Sequence, residues 1–319
     1  MTPQRLWRLR LFVCYATAAA CVPYLFLKVV WVAGGDLGVK GTMDMHSGDV
    51  VAANVITLGM DAVAVVIALA FAYPWGMRVP AWLMLVPIWV GTGLLAPFVL
   101  GLPLGLAVQA VVGGAPAPDD HGNGLHAWVF VVVYGGFILQ GVTLLAGFVL
   151  HARVRWADLF AMRTRELGQG PTRALQVLAV NGAAVVAAVF GVVHLVWAFG
   201  GTAAGGDPGF QTATQRTFVG VSGVLAFLGA AGALALVHRR GPERLLPVLV
   251  ATWLGAGAIF AGGLLGSGAS GFASAVATYG TIAGLLLGIA GLLALIEGRR
   301  GLEGDLPAAA LLAGGPEHQ

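Results

Sequence analysis

Charge is scarce in this sequence. Only 10% of its 319 residues are Asp, Glu, Lys or Arg, against about 25% in a soluble domain. So few charges cannot wet a whole surface, which excludes an ordinary water-soluble fold. Lysine is scarcer still: Lys28 and Lys40 are the only lysines among seventeen basic residues. An Arg-rich, Lys-poor chain full of Ala, Gly and Val points to a GC-rich genome of actinobacterial type. Cysteine is limited to Cys14 and Cys21, seven apart in one apolar segment. On a straight helix they stand about 10 Å apart, too far for a disulfide. Both are read as small packing residues.

Signature motifs are missing too. The chain has no Walker A loop and no His-Glu-x-x-His, and its one Gly-x-Gly-x-x-Gly, Gly266 to Gly271, joins two long apolar runs instead of following a strand. It also lacks a Gly-x-Ser-x-Gly nucleophile elbow. A haem needs axial ligands that face each other at one depth. His126 and His194 fall toward one side of the expected membrane, and His151 and His238 toward the other. Asp158 and Glu166 lie in a basic loop without the acidic pairing that holds magnesium for prenyl-diphosphate chemistry. No cofactor, resident metal or nucleic-acid partner is expected.

What the chain does have is long apolar runs. A spanning helix needs about 20 apolar residues, and eight segments qualify: 11–33, 50–72, 80–102, 126–150, 174–199, 216–238, 245–266 and 271–296. They are too long for strands and show no alternation. The first run resembles a signal peptide in its basic flank, but it continues too long and is kept as a span. Basic residues set the orientation. With the N-terminus in the cytoplasm, fourteen of the seventeen fall inside, at Arg5, Arg8, Arg10, Arg78, Arg153, Arg155, Arg163, Arg165, Arg173, Arg239, Arg240, Arg244, Arg299 and Arg300. Lys40 and Arg216 fall outside, and Lys28 within a span. The expectation is a plasma-membrane protein with both termini cytoplasmic. Trp7, Trp75 and Trp156 near inner ends, and Trp31, Trp128 and Trp197 near outer ends, fit an interfacial belt.

The spans also repeat. Lys28-Val-Val-Trp31-Val-Ala-Gly-Gly35 returns 166 residues later as His194-Leu-Val-Trp197-Ala-Phe-Gly-Gly201. Trp89-Val-Gly-Thr-Gly93 returns as Trp253-Leu-Gly-Ala-Gly257, and Tyr134-Gly135 as Tyr279-Gly280. The cues keep their order, each in the corresponding span. The fold class expected is therefore an all-α integral membrane protein whose eight transmembrane helices form two parallel four-helix repeats. Copies with an even number of spans point the same way and are related by an axis along the membrane normal. The boundaries follow: a basic cytoplasmic N-terminus at 1–10, a first repeat at 11–155, a basic linker at 156–173, a second repeat at 174–300 and a disordered cytoplasmic tail at 301–319. The octet His194 to Gly201 resembles a His-x-x-Trp-Ala-x-Gly-Gly segment of actinobacterial multi-pass membrane proteins. That resemblance implies an architecture and carries over no activity. Lys28 stands where that segment has His, so the two halves are expected to differ in role.

Ionisable residues inside a span cost about 3 kcal/mol near its centre. Lys28, Asp61 and His194 are such residues, with Asn54, Gln140 and Asn181 as neutral polar companions. Lys28 lies about 7 Å and Asp61 about 16 Å below the outer end of its span, at 1.5 Å per residue. Helical side chains lean toward their own N-terminus, so on antiparallel neighbours these two lean toward each other. A Lys28–Asp61 ion pair is expected, joined by His194 around an outer-half cavity. Against it stand Lys28 snorkelling to the surface, Asp61 bonded to hydroxyls or backbone, and His194 satisfied by a neighbouring helix. Asp44, His46, Asp49, Asp119, Asp120, His121 and His126 are read as solvated loop residues rather than a metal site, because no standard spacing is present.

Three functions fit this pattern. The favoured one is a transporter or small-molecule-binding protein in which Lys28, Asp61, His194, Asn54 and Gln140 bind a small hydrophobic or charged ligand. The second is an intramembrane enzyme acting on a lipid or terpenoid, with Asp61 as general acid assisted by His194 or Lys28. The third is a structural partner of another membrane protein, built on Gly and Ala faces. Membrane lipid is a partner in all three.

Overall fold

The computed structural model describes residues 3–40, 47–113, 124–168, 170–201, 212–266 and 271–313. Eight α-helices follow one another: α1 (Pro3–Val32), α2 (Gly48–Ala72), α3 (Ala81–Val112), α4 (Ala127–Arg155), α5 (Arg173–Ala198), α6 (Ala213–His238), α7 (Leu245–Leu265) and α8 (Gly271–Ala313). All eight are long and apolar enough to cross a membrane. Among the described residues there is no strand, only isolated bridges such as Val39 to Leu125. In lipid a helix satisfies its own backbone groups, which is why apolar runs of this length become helices. The described residues support a multi-pass, all-helical membrane protein.

The chain divides into two compact units. The first holds Met1–Trp156, Ala198–Gly200 and Asp207–Val221; the second holds Ala157–Trp197, Gly201–Gly206 and Ser222–Gln319. In the first unit α1 packs on α2 and α4, and α3 packs on α4. In the second, α7 packs on α8. Glycines set the spacing there. A Cβ on Gly255 of α7 would overlap the backbone of Gly229 on α6. One on Gly284 of α8 would come 2.5 Å from the Phe260 nitrogen of α7. Backbones approach this closely only where side chains are absent, and membrane helices gain their van der Waals contact in this way.

Several boundaries differ from the expected spans: α1 begins at Pro3 instead of 11 and α4 ends at Arg155 instead of 150, and the far ends of α3 and α8 differ more. Pro103 suggests that the third span stops near residue 102, yet α3 runs on to Val112. Tertiary contacts hold the extension. Gly105 lies against Thr214, and Gln109 both donates to the Gly113 carbonyl at 2.6 Å and accepts from the Thr214 N–H at 3.3 Å. The tail expected to be disordered from 301 is helical as far as Ala313, a continuation of α8. Residues 314–319 lie outside the described residues.

The linker after α4 is also ordered. It forms two short 3-10 turns, Ala157–Phe160 and Thr164–Glu166. Asp158 pairs with Arg299 at 2.7 Å, and Glu297 accepts from the Thr172 hydroxyl at 2.8 Å. The Arg239 guanidinium donates to the Gly168 carbonyl at 2.6 Å.

The repeated octet folds the same way both times. Gly34 and Gly200 have φ of 87° and 84°. The next N–H donates five residues back, Gly35 to Val30 at 2.8 Å and Gly201 to Val196 at 2.9 Å. That is the Schellman ending of a helix, with glycine in the left-handed position. An L-residue there costs about 1–2 kcal/mol. Gly34→Ala should lower stability by about 1 kcal/mol, read as a lower midpoint of thermal unfolding in detergent. An unchanged midpoint would mean that the cap is not under load.

Candidate functional site

The candidate site is built by α1, α2 and α4 within the first unit. On α1 the residues Arg10, Cys14, Thr17, Cys21, Tyr24, Lys28 and Trp31 recur at alternating steps of four and three. Residues so spaced lie on one helical face, and this face meets α2 and α4. Cys14, Thr17, Cys21, Lys28 and Trp31 are buried, while Arg10 and Tyr24 are partly buried. Both cysteines are free, as expected of packing residues.

Lys28 does not snorkel. It is 7% exposed, and Nζ donates to Asn54 Oδ1 at 2.7 Å. Two aromatic rings lie close to the ammonium, Tyr24 at 4.7 Å and Trp31 at 5.3 Å from their centres. Such contacts stabilise a cation removed from water. Trp31 is itself held by its indole N–H, which donates to the Leu37 carbonyl at 2.9 Å. Here the Trp-x-x-Gly-Gly frame both ends the helix and fixes one wall around Lys28.

Asp61 is 6% exposed and lies two turns along α2 from Asn54. Its Oδ1 accepts from Gln140 Nε2 of α4 at 3.2 Å. Between the two levels the Thr57 hydroxyl of α2 donates to the Ala53 carbonyl of its own helix at 2.8 Å. The direct Lys28–Asp61 ion pair is absent among the described residues. A neutral amide bonds to each charge, Asn54 to Lys28 and Gln140 to Asp61. α1 and α2 pack together as expected, but Lys28 and Asp61 stay at their own levels, about 9 Å apart in depth at 1.5 Å per residue.

Two polar atoms in the cluster are without a hydrogen-bond partner among the described residues. They are Asn54 Nδ2, a donor, and Asp61 Oδ2, an acceptor. Buried polar atoms are nearly always satisfied by protein or ordered water. A group that accepts from Asn54 and donates to Asp61 would complete the cluster.

His194 belongs to the second unit. Its Nδ1–H donates to the Phe190 carbonyl at 2.9 Å, one turn back on α5. Its ring stacks on Phe190 at 3.9 Å and lies 4.9 Å from Trp197. The first unit therefore gathers Lys28, Asn54, Asp61 and Gln140, four of the five expected ligand-binding residues. Asn181, also in the second unit, accepts at Oδ1 from the His238 Nε2–H at 3.0 Å. Among the loop residues, Asp44, His46, Asp119, Asp120 and His121 lie outside the described residues. Asp49 sits in the first turn of α2, and the His126 backbone N–H donates to Gly38. Among the described residues no group of three metal-binding side chains forms.

The polar file continues from Asp61 toward the Arg10 end. Thr17 donates to Thr143 of α4 at 2.9 Å, and Thr143 donates to the Leu139 carbonyl at 2.7 Å. Further along, the Arg10 guanidinium reaches His151 Nδ1 at 3.2 Å and donates to the Phe71 carbonyl of α2. Guanidinium only donates, so Nδ1 accepts and Nε2 carries the proton. That Nε2–H is fully buried and has no partner among the described residues. Arg10, Thr17, Tyr24 and Thr143 are not among the site residues expected from the sequence. The alternating four-and-three spacing on α1 was the available signal.

Comparison with protein-family models, curated proteins and solved structures finds no match to this chain.

Proposed function

We propose that this membrane protein is a transporter or small-molecule-binding protein whose site lies around Lys28, Asn54, Asp61 and Gln140. The observation that carries this reading is the pair of unpartnered buried atoms, Asn54 Nδ2 and Asp61 Oδ2, beside a buried ammonium. Such groups in a membrane interior mark substrate and ion pathways. The ligand class that fits is a small polar solute with an acceptor at one end and a donor or positive charge at the other. The site faces the outer side if the basic residues orient the chain as expected. The segments 11–155 and 174–300 descend from one duplicated four-helix element on this reading, supported by the matching Schellman endings at Gly34 and Gly200. The duplicated element has kept Lys in one copy and His in the other, so the copies divide the work.

The test is uptake into vesicles containing the purified protein. A radiolabelled panel of amino acids, organic cations and carboxylates is offered, and saturable uptake is compared with that of protein-free vesicles. Asp61→Asn keeps the shape and a hydrogen bond to Gln140 but removes the charge, and uptake should fall at least tenfold. Equal uptake by the wild type and Asp61→Asn would sink the reading.

A further inference from the structure

We infer that the polar file along α1 is a gated path for protons through the first unit, with Asp61 as the station that binds the proton and the Arg10 contact as the gate. The inference rests on the reading of Asp61 as a functional group and names the ion that moves through it.

The file extends the length of the helix. Arg10 and Trp31 are twenty-one residues apart, which at 1.5 Å per residue is about 31 Å, the thickness of a bilayer's hydrocarbon core. Its groups occur level by level: Lys28 with Asn54, Asp61 with Gln140, Thr17 with Thr143, and Arg10 with His151. Buried chains of carboxylate, hydroxyl and imidazole groups are typical of intramembrane proton relays. The unpartnered atoms are distributed along the same file: Asn54 Nδ2 toward the Lys28 end, Asp61 Oδ2 near the middle and His151 Nε2 at the Arg10 end. Each gives water a polar foothold.

The steps balance as follows. A proton arriving from the Lys28 side forms an O–H on Asp61 Oδ2. It leaves to water, and the two hydroxyls first rotate, Thr143 from the Leu139 carbonyl to donate to Thr17, and Thr17 from Thr143 to the Val13 carbonyl 3.1 Å away on the Arg10 side; each oxygen then gains one proton and releases its own onward to water. It emerges as hydronium at the Arg10 end, where the fixed guanidinium repels it. Arg10 of α1, the Phe71 carbonyl of α2, His151 of α4, and Trp156 with the Arg155 guanidinium 5.2 Å from its ring centre meet at that end. While Arg10 bridges α2 and α4, the path is closed to hydronium. When it swings away, the path opens.

The test uses full-length protein in vesicles loaded with a pH-sensitive dye. A potassium gradient with valinomycin supplies the drive and balances the charge. Arg10→Gln should raise proton flux at least threefold over the wild type. Adding Asp61→Asn to it should cut that flux at least tenfold, and adding Thr17→Val, which keeps the side-chain shape, should cut it severalfold. Size-exclusion profiles confirm that each variant is folded. Flux in Arg10→Gln no greater than in protein-free vesicles overturns the inference. So does either added substitution conducting as well as Arg10→Gln alone. A wild type that takes up solute in an Asp61-dependent way, while Arg10→Gln passes no protons, removes the proton path and leaves the proposed binding function standing.

Discussion

Gly255→Leu is expected to disrupt the second unit more than any other single substitution considered. At Gly255 a Cβ would overlap Gly229 backbone atoms and the Leu225 carbonyl oxygen, none of which can rotate aside. The helices must separate, and the neighbouring contact of Gly232 with the Thr252 nitrogen, 2.6 Å from a built Cβ, is lost with them. Overpacking costs about 1–3 kcal/mol when side chains yield. Here backbone meets backbone, so about 3 kcal/mol or more is expected. The measurement is thermal unfolding in detergent, with Gly182→Ala of α5 as the control. A Cβ on Gly182 meets nothing within 4 Å, and replacing a mid-helix glycine by alanine stabilises by up to about 1 kcal/mol. If Gly255→Leu melted no lower than the control, α6 and α7 would not be in backbone contact.

Lys28→Met should produce the second large effect. It removes the donor to Asn54 Oδ1 and leaves the Asp61 carboxylate without a countercharge in the unit's interior. Breaking a buried ion pair from one side costs about 3–5 kcal/mol. Because these two charges are not in contact, about 2–3 kcal/mol is expected, most of it from the charge left behind. Lys28→Met combined with Asp61→Asn removes both charges and keeps a side-chain partner for Gln140. The double variant should recover at least half of the loss. Unfolding of the wild type, both single variants and the double variant closes a double-mutant cycle. A double variant less stable than Lys28→Met alone would show that the two charges are not coupled.

The large features of the fold were legible because lipid imposes a simple rule on composition. Eight apolar runs became eight helices, and α2 and α7 begin and end within two residues of the expected limits. The far end of α3 was not legible, because contacts of Gly105 and Gln109 with residues distant in sequence hold it past Pro103. At the candidate site the residue types were legible, since Lys28 and Asp61 are costly to bury and had to be held by something. Their partners were not. Asn54 and Gln140 are neutral amides on two different helices, and only packing decides which one meets which charge. Thr17 and Thr143 were hidden for a related reason. A threonine can bond to the carbonyl one turn back in its own helix, so its type alone gives no hint of a partner across the bundle.

The spacing on α1 has a mechanical consequence. Steps of four and three average 3.5 residues per turn, whereas a straight α-helix has 3.6, so a stripe drawn this way drifts about 20° per heptad. Over the three heptads from Arg10 to Trp31 it winds by about 60°. For the whole stripe to stay against α2 and α4, the helix must coil around them with left-handed pitch. Its polar groups then follow a shallow spiral ramp rather than a straight shaft. On such a ramp translation and rotation are linked, so any sliding of α1 also turns it. A single screw-like displacement would therefore withdraw Arg10 from Phe71 and swing Lys28 off Asn54 in one stroke, tying events at the two ends of the helix together.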